Sequence, residues 1–172
     1  MSMMKWRSSL HKRLIAAWGK YPFPDWLRSM FLWVVLPKFL VGAVAVVVDA
    51  DRRVLLFRHT YRPEYPWGLP SGWLKKGEHA HDAIVREVLE ESGYHIDVLR
   101  SVVVGGDRKL QRLDLYYECE LTGGTFRASD EVSEANFVAL DALPDTLEPF
   151  HHEVISYTVC HPERSVCPDE KT

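Results

Sequence analysis

Cysteine is scarce in this sequence: Cys119, Cys160 and Cys167 are the only three among 172 residues, and their spacing is not that of a metal site. An odd, scattered set excludes a disulfide framework and suits free thiols in a reducing compartment, so the cytoplasm is the default location. An excess of one charge is lacking too. The formal net charge is only -3, so no overall field argues for nucleic acid or an acidic partner. The histidines His79, His81, His151 and His152 form no convincing ligand set. There is no internal repeat and no low-complexity tract. An unbroken apolar run long enough for a bilayer is also missing, the nearest being Met30 to Val48, interrupted by Pro37, Lys38 and Gly42. Basic residues ahead of that run and a small-residue Ala43-Val44-Ala45 site also fit a signal peptide. Against both readings, Val41 to Val48 is β-branched and continues through a turn into Val54 to His59, which predicts two buried strands.

What is present is a composition, 47% apolar and 26% charged, that supports one globular domain with appendages. We place an N-terminal basic and apolar helical extension at 1–40, the domain at 41–160 and a loose tail at 161–172. Residues 1–29 hold Lys5, Arg7, Lys12, Arg13, Lys20 and Arg28 against the single acid Asp25. Trp6, Leu10, Leu14 and Trp18 recur at four-residue spacing and predict an amphipathic basic helix, weakened by Arg7 within its apolar face. A short apolar helix follows from Trp26 to Leu36, ended before Pro37. Such an extension can lie on an anionic membrane surface or be buried against the domain or a second subunit. Burial, with a homodimer, is the preferred reading, because Trp and Leu at helical spacing more often pack than anchor in lipid.

Further along, an aromatic and proline-rich loop spans Thr60 to Gly72. A helix is predicted from near His79 to the left-handed cap Gly93, strands at Ile96 to Val104, Leu113 to Leu121 and Asn136 to Leu140, and a last helix from about Glu148 to Cys160. In the middle strand, Leu113, Leu115, Tyr117, Cys119 and Leu121 share one face, and Asp114, Tyr116, Glu118 and Glu120 the other. A mixed sheet with helices around it is the expected α/β architecture.

The His79–Gly93 helix carries the chemistry. At about 100° per residue, Glu87, Glu90 and Glu91 fall within roughly 100° of arc, where like charges repel. Val85, Val88 and Leu89 take the opposite side, and small Ala80 and Ala83 leave room among the carboxylates. A solvated acidic face is one explanation. A bound hard cation is the other, because Mg²⁺ takes one or two carboxylates and keeps waters and substrate phosphates.

The spacing around the glutamates favours the cation. Gly72, five residues, Glu78, seven residues, then Arg86-Glu87-Val88-Leu89-Glu90-Glu91-Ser92-Gly93-Tyr94 resembles the Nudix hydrolase signature, with Tyr94 at its final aliphatic position. The resemblance extends over about Val41 to Leu147. It includes "GLPSGW", with Ser71 at the first glycine of the usual Leu-Pro-Gly-Gly, and "SDEVSEANFVALDALP" as a closing strand and loop. It implies a Nudix α/β/α sandwich with a mixed sheet and a catalytic loop-helix-loop, and a metal-dependent hydrolase that cleaves a diphosphate attached to another moiety. By position, Glu87, Glu90, Glu91 and the Gly72 carbonyl would hold Mg²⁺ or Mn²⁺, and Arg86 with Glu78 would orient the site. Glu87 is one candidate base; Asp130, Glu131 and Glu134 on a later loop are the others. Arg58 and Arg62 are expected to contact substrate phosphates, with Lys75 and Lys76 as weaker candidates, while Tyr61, Tyr65 and Trp67 either stack on a base or stiffen their loop.

The substrate is expected to be a nucleotide-type small molecule: a nucleoside diphosphate linked to a sugar or other group, or a nucleoside triphosphate. ADP-ribose hydrolases of the family tend to carry a proline about fifteen residues after the signature, where this chain has Lys109 and no proline before Pro144. Two other readings are a nucleotide sensor without activity, which would usually have lost signature glutamates, and hydrolysis of RNA 5′ ends. For the latter only Arg108, Lys109 and Arg112 hint at a basic groove, so nucleic acid is not the expected partner.

Overall fold

The computed structural model describes residues 24–107 and 110–161. The expected amphipathic helix around Trp6 to Trp18, the cations Arg108 and Lys109, and nearly all of the tail lie outside those residues. The chain divides into two compact units, 1–38 and 39–172. In the first, helix α1 (Asp25–Val35) stops at Leu36, whose extended ψ of 142° is what the residue before Pro37 demands. Lys38 sits 4.3 Å over the Trp33 ring. Among the described residues no helix is long and apolar enough to cross a membrane.

The second unit is built on strands β1 (Leu40–Val47), β2 (Val54–His59), β3 (Trp67–Gly68) and β4 (Ser71–Trp73), then helix α2 (Ala80–Ser92), strands β5 (Tyr94–Asp107), β6 (Arg112–Gly124) and β7 (Val132–Val138), and helix α3 (Pro149–Cys160). Four strands form a mixed sheet in the order β4-β1-β6-β5, with β1 and β6 parallel and the other pairs antiparallel. A smaller antiparallel sheet runs β3-β2-β7.

Period-two alternation explains how strands without a polar face are accommodated. Ala43, Ala45 and Val47 of β1, with Leu55 and Phe57 of β2, join Ala83, Ile84 and Val88 of α2 in one core. The intervening Val44, Val46, Val54 and Leu56 join Val154, Ile155 and Val159 of α3 in a second. Both sheets are therefore covered on both faces, which makes the architecture an α/β/α sandwich.

Several local expectations are corrected. Strand β7 begins at Val132, four residues before Asn136, and Leu140 falls in a short 3₁₀ turn. Strands β5 and β6 run on as a long hairpin with three register shifts. The apolar face expected for β6 fails at its ends, where Leu113 and Leu121 are exposed, while Asp114 and Tyr116 on the supposed polar face are buried. A strand covered on both sides has no solvent face, and Asp114 is tolerated inside because Arg112 pairs with it at 2.7 Å. The packing face of α2 is rotated too: Ala83, Ile84, Val88 and Ser92 are buried, Leu89 is exposed, and Glu91 lies within the buried arc.

Candidate active site

Helix α2 meets strand β4 at one end of the larger sheet. Gly72 of β4 pairs with Ala43 of β1, and a Cβ at Gly72 would collide with the Glu87 side chain. Only glycine lets that carboxylate pass over the strand. At the other end of α2, Gly93 adopts φ 74° and returns its N–H to the Leu89 carbonyl, a left-handed cap that glycine reaches without steric cost.

Arg86 organises the acids around it. Its Nε donates to Glu78 Oε1 at 2.7 Å and its Nη2 to Glu78 Oε2 at 3.0 Å, a bidentate grip. Nη1 reaches Glu90 Oε2 at 3.0 Å and Glu87 Oε1 at 2.8 Å, and Nη2 also donates to the Trp73 carbonyl at 3.3 Å. Glu78 in turn accepts the Lys75 backbone N–H at 2.8 Å. These hydrogen bonds, that from Arg86 first, hold the Glu78 carboxyl down at about 2. One guanidinium thus fixes the loop before α2 to the helix and stiffens two of the three clustered glutamates.

Glu91 is different. It is 7% exposed, and its Oε2 is buried without a hydrogen-bond partner. Burial first, then the charges of Glu131 and Glu87, push its carboxyl up to about 8. A carboxylate this poorly compensated either keeps a proton or receives a cation. The cleft it faces has a volume of about 170 Å³ and is lined by Gly72, Glu87 and Glu91, by Glu131 from the loop before β7, and by Tyr61 and Arg62. No three acidic, His or Cys side chains among the described residues are already gathered as a metal-ligand set; Glu87 and Glu90 each give an oxygen to Arg86. The donors themselves, carboxylate oxygens with an unsatisfied one among them, are those a hard divalent cation takes.

The remaining sequence candidates divide clearly. Arg62 and Glu131 line the cleft; Arg58, Asp130 and Glu134 do not. Arg58 and Glu134 pair with each other at 2.9 Å across β2 and β7. Lys75 Nζ lies 3.8 Å from Glu90 Oε1. Sequence reasoning missed Asp114, Glu148 and His151, which also line the cleft, and considered Arg112 only for a basic groove. Asp114 carries no signal of its own in an alternating strand, and His151 stands in an ordinary helix; only the sheet order and the packing of α3 bring them to one cleft with Gly72.

Comparison with known proteins bears on this geometry. The family model described as the NUDIX domain matches residues 38–158, most of the chain. The chain belongs to the Nudix family. It is 32% identical over 124 residues to the ADP-ribose pyrophosphatase of Methanocaldococcus jannaschii, covering 68% of this chain and 72% of that protein. To the 8-oxo-dGDP phosphatase of Homo sapiens it is 32% identical over 135 residues, 77% of this chain but 38% of the human protein. The crystal structure of an ADP-ribose pyrophosphatase from Streptococcus suis shares the Nudix fold at a TM-score of 0.64 and 24% identity, over 74% of this chain and 94% of that one. Its place in the family makes this chain a Nudix pyrophosphohydrolase, and the loop-helix-loop from Gly72 to Tyr94 is its Nudix segment.

Proposed function

We propose that this Nudix enzyme cleaves the diphosphate linkage of a nucleoside diphosphate joined to another moiety, with Mg²⁺ or Mn²⁺ held by Glu87, Glu90, Glu91 and the Gly72 carbonyl. The observation that carries the reading is Glu91: a buried carboxylate with an orphaned oxygen, facing Glu87 and Glu131 across a cleft. A bound divalent cation would neutralise diphosphate oxygens and make an attacking water more acidic. The protein's own part is to gather and orient. Arg86 and Glu78 hold the glutamate helix against its preceding loop, and Gly72 gives Glu87 its passage. Arg62, on the cleft wall, binds a phosphate. Arg58 reaches one only by leaving Glu134.

Of the candidate bases, Glu131 has the best position. It lines the cleft with Glu91, on which its charge acts, whereas Glu87 is engaged by Arg86 at 2.8 Å. Glu131 accepts the water proton in this reading, with Glu87 as the alternative. The relatives named for ADP-ribose and for an oxidised guanine nucleotide support a nucleoside-diphosphate substrate class without choosing within it. The experiment is hydrolysis of a nucleotide panel with Mg²⁺ or Mn²⁺, followed by appearance of the two phosphorylated products, identified by mass. Turnover that is lost with a chelator and in Glu90→Gln and Glu91→Gln supports the proposal. Near-wild-type turnover in either variant refutes the metal assignment.

A further inference from the structure

The cleft does not end at the glutamates. It also takes in the start of β6, and Arg112, Asp114, Glu148 and His151 belong to its lining. The same Arg112, Asp114 and Glu148 border an adjoining recess walled by Phe150, Tyr116 and the backbone of Gly105 and Gly106. Asp114 is 7% exposed yet lines both spaces. Its Oδ2 lies 2.7 Å from Arg112 Nε, an ion pair without hydrogen-bond geometry. Its neighbour across the parallel β1–β6 pair is Gly42, where a Cβ would stand 2.5 Å from Asp114 Oδ1. A glycine there gives the carboxylate its room.

The chemistry of this end is that of an acceptor. Arg112 is engaged by Asp114, while Asp114 and Glu148 contribute two carboxylates. His151, 5% exposed, has a buried Nδ1 without a protein partner, and its Nε2 stands 3.9 Å from Glu148, beyond hydrogen-bond reach. With two carboxylates to the one guanidinium of Arg112, which is already ion-paired, phosphate is disfavoured at this end. A neutral group rich in N–H or O–H donors is attracted, and a carboxylate accepts two adjacent donors side by side. Nucleotide compounds offer that pair in two places: the N1–H and 2-amino group of guanine, and the vicinal hydroxyls of a sugar.

Resting on the proposed function, we infer that Asp114 is the specificity-determining residue of this enzyme, selecting substrates that present two adjacent hydrogen-bond donors on a base or sugar at one end of the diphosphate. The phosphates then lie toward Arg62 and the glutamates, and the donor pair enters the recess by Phe150. Loss of one donor leaves part of a buried carboxylate unpaired, which sites of this kind penalise about ten- to a hundredfold.

The test compares substrates that differ by one donor: GTP with ITP, which lacks the 2-amino group, and UDP-glucose with its 2-deoxy analogue. In the wild-type protein with Mg²⁺, one pair is expected to differ at least tenfold in kcat/KM, and that pair identifies the source of the donors. In Asp114→Asn the ratio should fall to within about twofold of one, chiefly through KM for the complete substrate. Gly42→Ala, which crowds the carboxylate without removing it, should compress the ratio in the same direction and serves if Asp114→Asn does not fold. Wild-type ratios near one for both pairs, or a ratio that survives both substitutions, would overturn the inference. Calorimetric Kd ratios for the same four compounds need no turnover. A protein that hydrolyses none of them therefore counts against the proposed function, while its Kd ratios still decide the role of Asp114.

Discussion

Two glutamates of the Nudix segment show how strongly local surroundings decide what a carboxyl does. Glu78, gripped by Arg86 and a backbone N–H, is held as an anion, whereas Glu91 is buried among like charges and pushed up to about 8. Without metal, the folded state therefore holds a proton on Glu91 that the unfolded chain releases above its ordinary value of 4.5. Stability from this group is lost as pH rises from about 4.5 toward 8. Glu91→Gln should remove that decline, raising the metal-free Tm at pH 8 relative to wild type while abolishing metal-dependent hydrolysis; thermal melts at pH 6 and pH 8 measure it. Gly72→Ala acts on the same site through geometry. Its Cβ displaces Glu87, and an ångström of misplacement costs about a hundredfold in rate, so kcat should fall by that order in a steady-state assay.

At the scale of elements, α2 is a helix whose ends are specified and whose middle is in conflict. Gly93 in the left-handed region ends it, and a Cβ there would also approach the Thr125 carbonyl to 2.8 Å. Gly93→Ala is expected to lower stability by about 1–2 kcal/mol, read by urea titration, with little change in the kcat of the folded fraction. The limits of α2 were legible because a cap and an acidic cluster are local signals. Its packing face was not: 3.6-residue periodicity put Leu89 inside and Glu91 outside, and the sheet turned the helix the other way. The short strands β3 and β4 were hidden for a related reason. Pairing for two or three residues leaves no periodic trace, and Trp67 and Gly72 read as loop until β2 and β1 supply their partners. The extra length of β7 was masked by Val132-Ser133-Glu134, where Ser133 is half-buried and donates to the Arg58 carbonyl and Glu134 is exposed, so no apolar alternation marks the strand.

Across the whole molecule, the Nudix architecture and the glutamate segment could be read from one motif, because its residues lie within 23 positions of one another. The far end of the cleft could not, because Gly42, Asp114 and His151 are separated in sequence and meet only through the parallel β1–β6 pairing and the docking of α3. That docking has a pH signature. His151 and His59 are both held near 4, mainly by burial and secondly by Arg62. A histidine with a depressed folded value costs stability as pH falls from its ordinary 6.5 toward 4, because the unfolded chain binds the proton first. His151→Gln should therefore shrink the loss of Tm between pH 6.5 and 4.5.

For residues 1–38, the sequence reading of a buried extension, which we retain as a proposal, expects a detergent-free dimer that aggregates when they are deleted. Salt-sensitive flotation with anionic liposomes that disappears on the same deletion would instead show a membrane anchor.

The most direct test of the central claim follows the oxygen. With Mg²⁺, a nucleoside diphosphate-linked substrate and heavy-oxygen water, mass spectrometry should find the label on phosphorus of one product. Chelator, and separately Glu90→Gln, should abolish its incorporation. Label on a sugar carbon, release of phosphate from monoesters alone, or incorporation that persists with chelator would contradict a metal-dependent diphosphate hydrolase built on Glu87, Glu90 and Glu91.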